Sequence, residues 1–168
     1  NYFGIPLEPE EAALVLISAP WDLSLKVRNG SSFAPDAIIE ASRSVDFFEP
    51  MAPDSWRKGI ATVPIDYTIQ DMSHRLRSDA ERIVKVHEKQ GGTPFDNLYE
   101  RSLRRVNEGF QALNDNIYKQ SKMWLDEDKI VGLVGGDQST AYGHIRAVAE
   151  HHGSLGVLHI DSSCNLKS

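Results

Sequence analysis

Three aspartates in this sequence follow runs of apolar residues. Asp22 comes after residues 13–18 and Ala19-Pro20-Trp21, Asp137 after residues 129–134 and a Gly135-Gly136 pair, and Asp161 after residues 155–160. Gln138 and Ser139 follow the second run directly, and Ser163, Cys164 and Asn165 follow the third. In an open parallel sheet, ligands gather just past the carboxyl ends of the strands, so Asp137, Gln138, Ser139, Asp161, Ser163 and Asn165 form the candidate binding set. Their carboxylate, amide and hydroxyl oxygens are hard donors, suited to a hard cation or to a hydrogen-bonded network. The glycine pair lets the backbone turn sharply and approach a ligand closely. A plainer use is also open, in which Asp137 or Ser139 only caps the helix that begins at Thr140. No catalytic residue is assigned.

These residues need strands and helices to bring them together, and the hydropathy pattern supplies both. Residues 13–18, apolar on both faces, suit a buried parallel strand. Pro35 fits the first turn of a helix that continues through Ala37 to Arg43. Pro50 and Pro53 interrupt regular structure between Phe47 and Trp56, and Pro64 demotes the short run at 60–65 to an edge strand or a strand end. Ala80, Ile83, Val84 and His87 mark one face of a helix over 78–89, which Gly91-Gly92-Thr93-Pro94 stops. Asp96 or Asn97 caps the longest helix, whose stripe is Tyr99, Leu103, Val106, Phe110, Leu113 and Ile117. That stripe lasts under three heptads, so packing against a sheet is preferred to a coiled-coil seam. Residues 129–134 are read as a strand, 140–152 as a helix with Ile145, Val148 and Ala149 inward, and 155–160 as a second strand. The three make a βαβ unit with its two strands side by side. The fold class is α/β with a mainly parallel sheet, and residues 1–168 form a single domain.

Composition narrows the partners. The 168 residues carry 18 Lys and Arg against 24 Asp and Glu, a formal charge of −6, which opposes broad binding to phosphate backbones, so nucleic acid is excluded as a partner. The single cysteine, Cys164, permits no internal disulfide and fits a cytoplasmic or other reducing compartment. No apolar run approaches the roughly 20 residues of a membrane span. The chain opens on Asn1 rather than Met, which suggests processing or a fragment. Other chemistry-bearing residues have plain readings beside sharper ones. His151 and His152, with His144, could bind a metal, but histidines at a helix carboxyl end also suit its dipole. His159 alternates within a strand and reads as packed. Cys164 beside Lys167 reads as an inert thiol. Arg101, Arg104 and Arg105 form either a solvated face or a contact for an acidic neighbour.

Gly135-Gly136-Asp137-Gln138-Ser139 resembles the Gly-Gly-Asp-His-Ser motif of the ureohydrolases, the superfamily of arginase, agmatinase and formimidoylglutamase. Asp161-Ser162-Ser163-Cys164-Asn165 falls where that family carries Asp-Ala-His-x-Asp, after the same strand–helix–strand spacing. Ala19-Pro20-Trp21-Asp22 is similar to the family's small-Pro-Phe-Asp strand end, and the stretch from Asn29 to Ile38 resembles its Gly-rich loop and Gly-Pro-x-Ala-Ile helix start. The resemblance spans essentially the whole chain and covers the amino-terminal half of the family's domain.

It implies a three-layer α/β/α, arginase-like fold, here truncated. It also implies two manganese ions bridged by a hydroxide that attacks a guanidino or formimino carbon. At the matching positions the ligands differ: Gln138 stands for the first motif's His, Ser163 for the second motif's His and Asn165 for its second Asp. Asp161 is the one retained metal-ligand position, and the family's later Ser-x-Asp-x-Asp motif has no counterpart here. The expectation is therefore a ureohydrolase-like domain, non-catalytic, with a structural or subunit-interaction role and no cofactor. A homo-oligomer, a partner chain or a missing carboxyl-terminal segment is expected to cover the open sheet edge. The alternative is part of a manganese-dependent ureohydrolase that cleaves a guanidino or formimino C–N bond. A third reading is a small-molecule sensor that uses the same pocket without turnover.

Overall fold

Three parallel strands position everything that follows. In the computed structural model, which describes residues 1–23, 30–88 and 96–161, β1 (Leu14–Ala19) lies between β2 (Ile60–Thr62) and β3 (Ile130–Gly135). Leu14 is level with both Ile60 and Ile130, and Ala19 with Gly135, so the carboxyl ends of β1 and β3 finish together. The described residues also form four α-helices: α1 (Ala34–Ser42), α2 (Tyr67–Glu88), α3 (Asn97–Asp126) and α4 (Ala141–His152). The short β2 sits at a sheet edge and stops before Pro64, where the missing N–H cannot interrupt a ladder.

Side chains alternate along β1, so Val15, Ile17 and Ala19 share the face turned to α3. Val15 and Ile17 pack with Trp124 of α3. Ala19 joins Trp21, Ile69, Leu76, Val106, Leu113 and Ile117 in a larger cluster between the strand ends, α2 and α3. The opposite face is tied to the amino-terminal segment and α1: the Tyr2 and Ser18 hydroxyls are 2.8 Å apart, Tyr2 N donates to Thr62 Oγ1 at 2.9 Å and Phe3 N to Ser42 Oγ at 2.8 Å. Burial of Tyr2 raises its phenol above the ordinary range. Helical material therefore lies on both faces of the parallel sheet, the α/β arrangement expected.

The long helix forms as its stripe requires. Tyr99, Val106, Leu113 and Ile117 are buried, Leu103 is exposed, and the Asp96 carboxylate caps the helix by accepting from Tyr99 N at 2.7 Å. The preceding helix begins at Tyr67, eleven residues before the start read from periodicity. Its first turns bury Ile69 and Leu76 with Ser73 between them, and a buried serine hides the apolar spacing. A local start signal exists in Asp66, whose carboxylate accepts from Thr68 N at 3.0 Å. The stop assigned to Gly91-Gly92-Thr93-Pro94 lies outside the described residues.

Two expectations at the carboxyl end are corrected. The buried face of α4 is Gly143 and Ala147, and Ile145 is exposed. α4 crosses α3 so closely that a Cβ at Gly143 would stand 2.3 Å from the Asn114 carbonyl oxygen, so small residues, not large ones, make this face. Residues 155–160 make no ladder, and Leu155, Val157, Leu158 and Ile160 are exposed. The side-by-side βαβ pair is therefore not formed among the described residues. An apolar run provides surface for a buried strand, but a strand exists only where a neighbour offers hydrogen bonds and helices cover its faces.

Candidate functional site

The carboxyl ends of β1 and β3 are joined by main-chain bonds. Gly136 N donates to Ala19 O at 3.0 Å and Asp137 N to Trp21 O at 3.1 Å. The glycines serve this contact. A Cβ at Gly136 would lie 1.9 Å from the Trp21 carbonyl oxygen, and one at Gly135 would lie 2.7 Å from Thr140 Oγ1. Gly136 makes its close approach to the neighbouring strand end, and Gly135 to the turn before α4.

The Asp137 carboxylate is held in the same junction. Its Oδ2 accepts from Leu23 N at 2.8 Å, and its Oδ1 accepts from Ser139 N at 3.0 Å and from the Ser139 hydroxyl. Asp137 thus caps the 3-10 turn Gln138–Thr140 that leads into α4. The capping role is filled, and the same carboxylate also fastens the segment after β1 to the segment after β3.

Asp22, at the end of β1, is buried and does comparable work. Its Oδ2 accepts from Gly30 N at 2.6 Å and Ser31 N at 3.1 Å, and its Oδ1 lies 3.2 Å from Arg77 Nη1, which also donates to Asp22 O at 2.8 Å. Asp22 N donates to Ser73 Oγ at 2.9 Å. Ser73 and Arg77 project from one face of α2 at a spacing of four, and sequence reading missed them because it began the helix after both. The aspartate before the loop and a cationic residue on the next helix were the only signals available.

Gln138 and Asp161 meet at the solvent side of this junction. Gln138 Nε2 donates to Asp161 Oδ2 at 2.7 Å, both residues are exposed, and His159 Nε2 lies 3.5 Å from the same oxygen. The tertiary structure therefore brings together Asp137, Gln138, Ser139 and Asp161. Ser163 and Asn165 lie outside the described residues, as does Cys164.

Manganese can be tested against these donors. A dinuclear centre needs several carboxylates and imidazoles converging on one point. Among the described residues no group of three His, Cys, Asp or Glu side chains does so. The Gln138 amide presents its N–H₂ to Asp161, and a nitrogen donor occupies the oxygen a cation would need. The described residues do not fit a two-metal cage.

The remaining candidates fall elsewhere. His144, His151 and His152 line one cavity of about 430 Å³ below the sheet's amino-terminal end, with Asp128 and Lys129, yet make no three-residue metal group. His151 Nδ1 is 3.8 Å from Asp126 Oδ1 at the carboxyl end of α4, where the helix dipole favours a cation. Of the arginine cluster, Arg105 reaches the buried Asp79 at 2.8 Å, while Arg101 and Arg104 are exposed. No described helix is long and apolar enough to cross a membrane.

Comparison with known proteins agrees with this geometry. The chain is 30% identical to the mitochondrial agmatinase of Gallus gallus over 91 residues, 52% of this chain and 27% of that protein. It is 29% identical to the mitochondrial guanidino acid hydrolase of Homo sapiens over 94 residues, 52% of this chain and 26% of that one. It is 26% identical to the N(1)-aminopropylagmatine ureohydrolase of Thermus thermophilus over 161 residues, 94% of this chain and 41% of that protein. The chain thus spans well under half the length of these relatives, and no solved structure matches it significantly. The Arginase family pattern extends over residues 12–168, and with the parallel β2-β1-β3 sheet and the Gly-Gly-Asp strand end, this chain belongs to the arginase family.

Proposed function

We propose that the chain is a ureohydrolase-like domain that does not hydrolyse a guanidino compound by itself and acts as a structural or subunit-interacting element. The observation that carries this reading is the Gln138–Asp161 contact. At the position of the family's first His ligand an amide donates 2.7 Å to the one retained ligand carboxylate. An amide is neutral and far less basic than imidazole, and the nearby Asp137 carboxylate accepts from Leu23 N, Ser139 N and the Ser139 hydroxyl. A centre with one exposed carboxylate lacks the charge to hold two divalent ions. The interaction role draws support from the exposed side chains of Leu155, Val157, Leu158 and Ile160 and from β3, which has no neighbour on its outer edge among the described residues. Such edges and patches are covered in stable proteins, by a second copy, a partner chain or further sequence of the same protein.

The relatives favour a second reading. Their names describe hydrolysis of agmatine-like and guanidino substrates, so this segment could serve in a manganese-dependent ureohydrolase whose other ligands lie in further sequence. One experiment separates the two. The purified chain and, in parallel, the whole protein encoded by its reading frame are equilibrated with Mn²⁺, dialysed, assayed for bound metal and given agmatine and guanidino acids, with urea as the readout. The first reading expects less than one ion per chain and no urea above background. Two ions per chain with urea release would establish the second.

A further inference from the structure

α4 is seated on α3 through two adjacent residues. Gly143 N donates to Asn114 Oδ1 at 3.0 Å, and the helix backbones meet there with no room for a side chain. The next residue, His144, turns its ring into the same interface, with Nδ1 3.0 Å from Ser121 Oγ of α3. Among the described residues no carboxylate is hydrogen-bonded to that ring. Ser121 is itself fully buried, and a hydroxyl is a neutral partner that serves a neutral imidazole as well as a charged one.

The groups facing His144 from each element can be named. α3 presents Ser121, and the turn after it presents Asp128 and Lys129 at the shared cavity. β3 contributes Ile130 and Val131, which do not titrate. α4 itself contributes His151 and His152, whose rings meet edge-on at 4.7 Å. Lys129 is directed to Glu10 O at 2.6 Å, and Asp126 stands 3.8 Å from His151. A proton on His144 places a cation in a cavity lined by Lys129, Asp128 and two further imidazoles, where a neutral hydroxyl is its hydrogen-bond partner.

We propose that His144 is a proton-sensitive latch that seats α4 on α3 when neutral and loosens it when protonated. The helix it governs begins at Ala141, directly after the 3-10 turn Gln138–Thr140 that Asp137 caps, so loosening α4 frees that turn at the ends of β1 and β3. Burial holds the His144 imidazole below its ordinary value. The unfolded or undocked ring, titrating at about 6.5, then takes up a proton before the docked one. The seat is intact above that pH and weakens as pH falls below it, until the docked ring is also protonated. Each unit by which docking depresses the imidazole corresponds to a tenfold loss in the docking equilibrium.

The test uses the intact chain. Imidazole carbon–proton NMR follows each histidine from pH 8 to pH 4, and hydrogen exchange, corrected for its intrinsic pH dependence, reports protection in α4 relative to α2. His144 is expected to titrate below about 6.5, with α4 protection falling across the same interval while α2 changes less. His144→Gln keeps a polar group beside Ser121 and is expected to abolish the acid-induced loss in α4. A His144 midpoint at or above the ordinary imidazole value overturns the proposal on the wild-type protein alone. An unchanged acid response in His144→Gln overturns it as well.

Discussion

Adding one methyl group at Gly136 is expected to separate the two strand ends on which the candidate site is built. The Cβ of Gly136→Ala would lie 1.9 Å from the Trp21 carbonyl oxygen and 2.8 Å from both Trp21 N and Trp21 C. Ordinary heavy-atom contact begins at about 3.5 Å, so the backbones must part by more than an ångström, because the obstacle is main chain and not a movable side chain. Three bonds cross that gap: Gly136 N to Ala19 O at 3.0 Å, Asp137 N to Trp21 O at 3.1 Å and Leu23 N to Asp137 Oδ2 at 2.8 Å. At about 1 kcal/mol net each, their loss amounts to about 3 kcal/mol, comparable with the range for overpacking a filled interior. Urea unfolding followed by far-UV circular dichroism gives the difference directly. Gly156→Ala is the control, since a Cβ there meets nothing within 4 Å, and its effect is expected to stay within about 0.5 kcal/mol. A Gly136→Ala variant equally unperturbed would refute the argument that this glycine exists for a backbone contact.

Two further substitutions probe what holds the site's surroundings. Leu113→Ala, at a fully buried position in the cluster between α2, α3 and the strand ends, is expected to lower unfolding free energy by about 2–5 kcal/mol in the same urea experiment. Arg77→Met removes the cation 3.2 Å from the buried Asp22 carboxylate and the donor to Asp22 O. Because Gly30 N and Ser31 N still bind that carboxylate and Arg77 is 18% exposed, the expected loss is about 2–3 kcal/mol, below the full cost of an orphaned buried charge. A loss under 0.5 kcal/mol would mean that the pair is screened like a surface one.

Much of the fold was legible along the chain because its signals are local. The apolar run of β1, Pro35 in the first turn of α1, the Asp96 cap and the stripe from Tyr99 to Ile117 each act within a few residues of themselves. Where reading failed, the deciding contact was distant. The early turns of α2 bury Ser73 because Asp22 N, remote in sequence, binds its hydroxyl. α4 turns Gly143 inward because Asn114 of α3 leaves no space for anything larger. Residues 155–160 looked like a strand by composition, but pairing is a property of a neighbour.

The same division applies to the site. Residue types alone supplied a Gly-Gly-Asp strand end resembling that of the arginase family, together with the expectation that Gln138 stands for a His ligand and that Asp161 keeps a ligand position. Donor chemistry is a property of the side chain, whatever surrounds it. Only the tertiary structure decided how those groups are used. It directs the Gln138 amide to Asp161, commits Asp137 to Leu23 and Ser139, and sets Gly136 against the carbonyl of Trp21 and Gly135 against Thr140. The Asp137 and Gly136 contacts depend on which backbone N–H or C=O lies close by, and the register of β1 against β3 sets that distance; the Gln138–Asp161 contact depends on where two side chains meet.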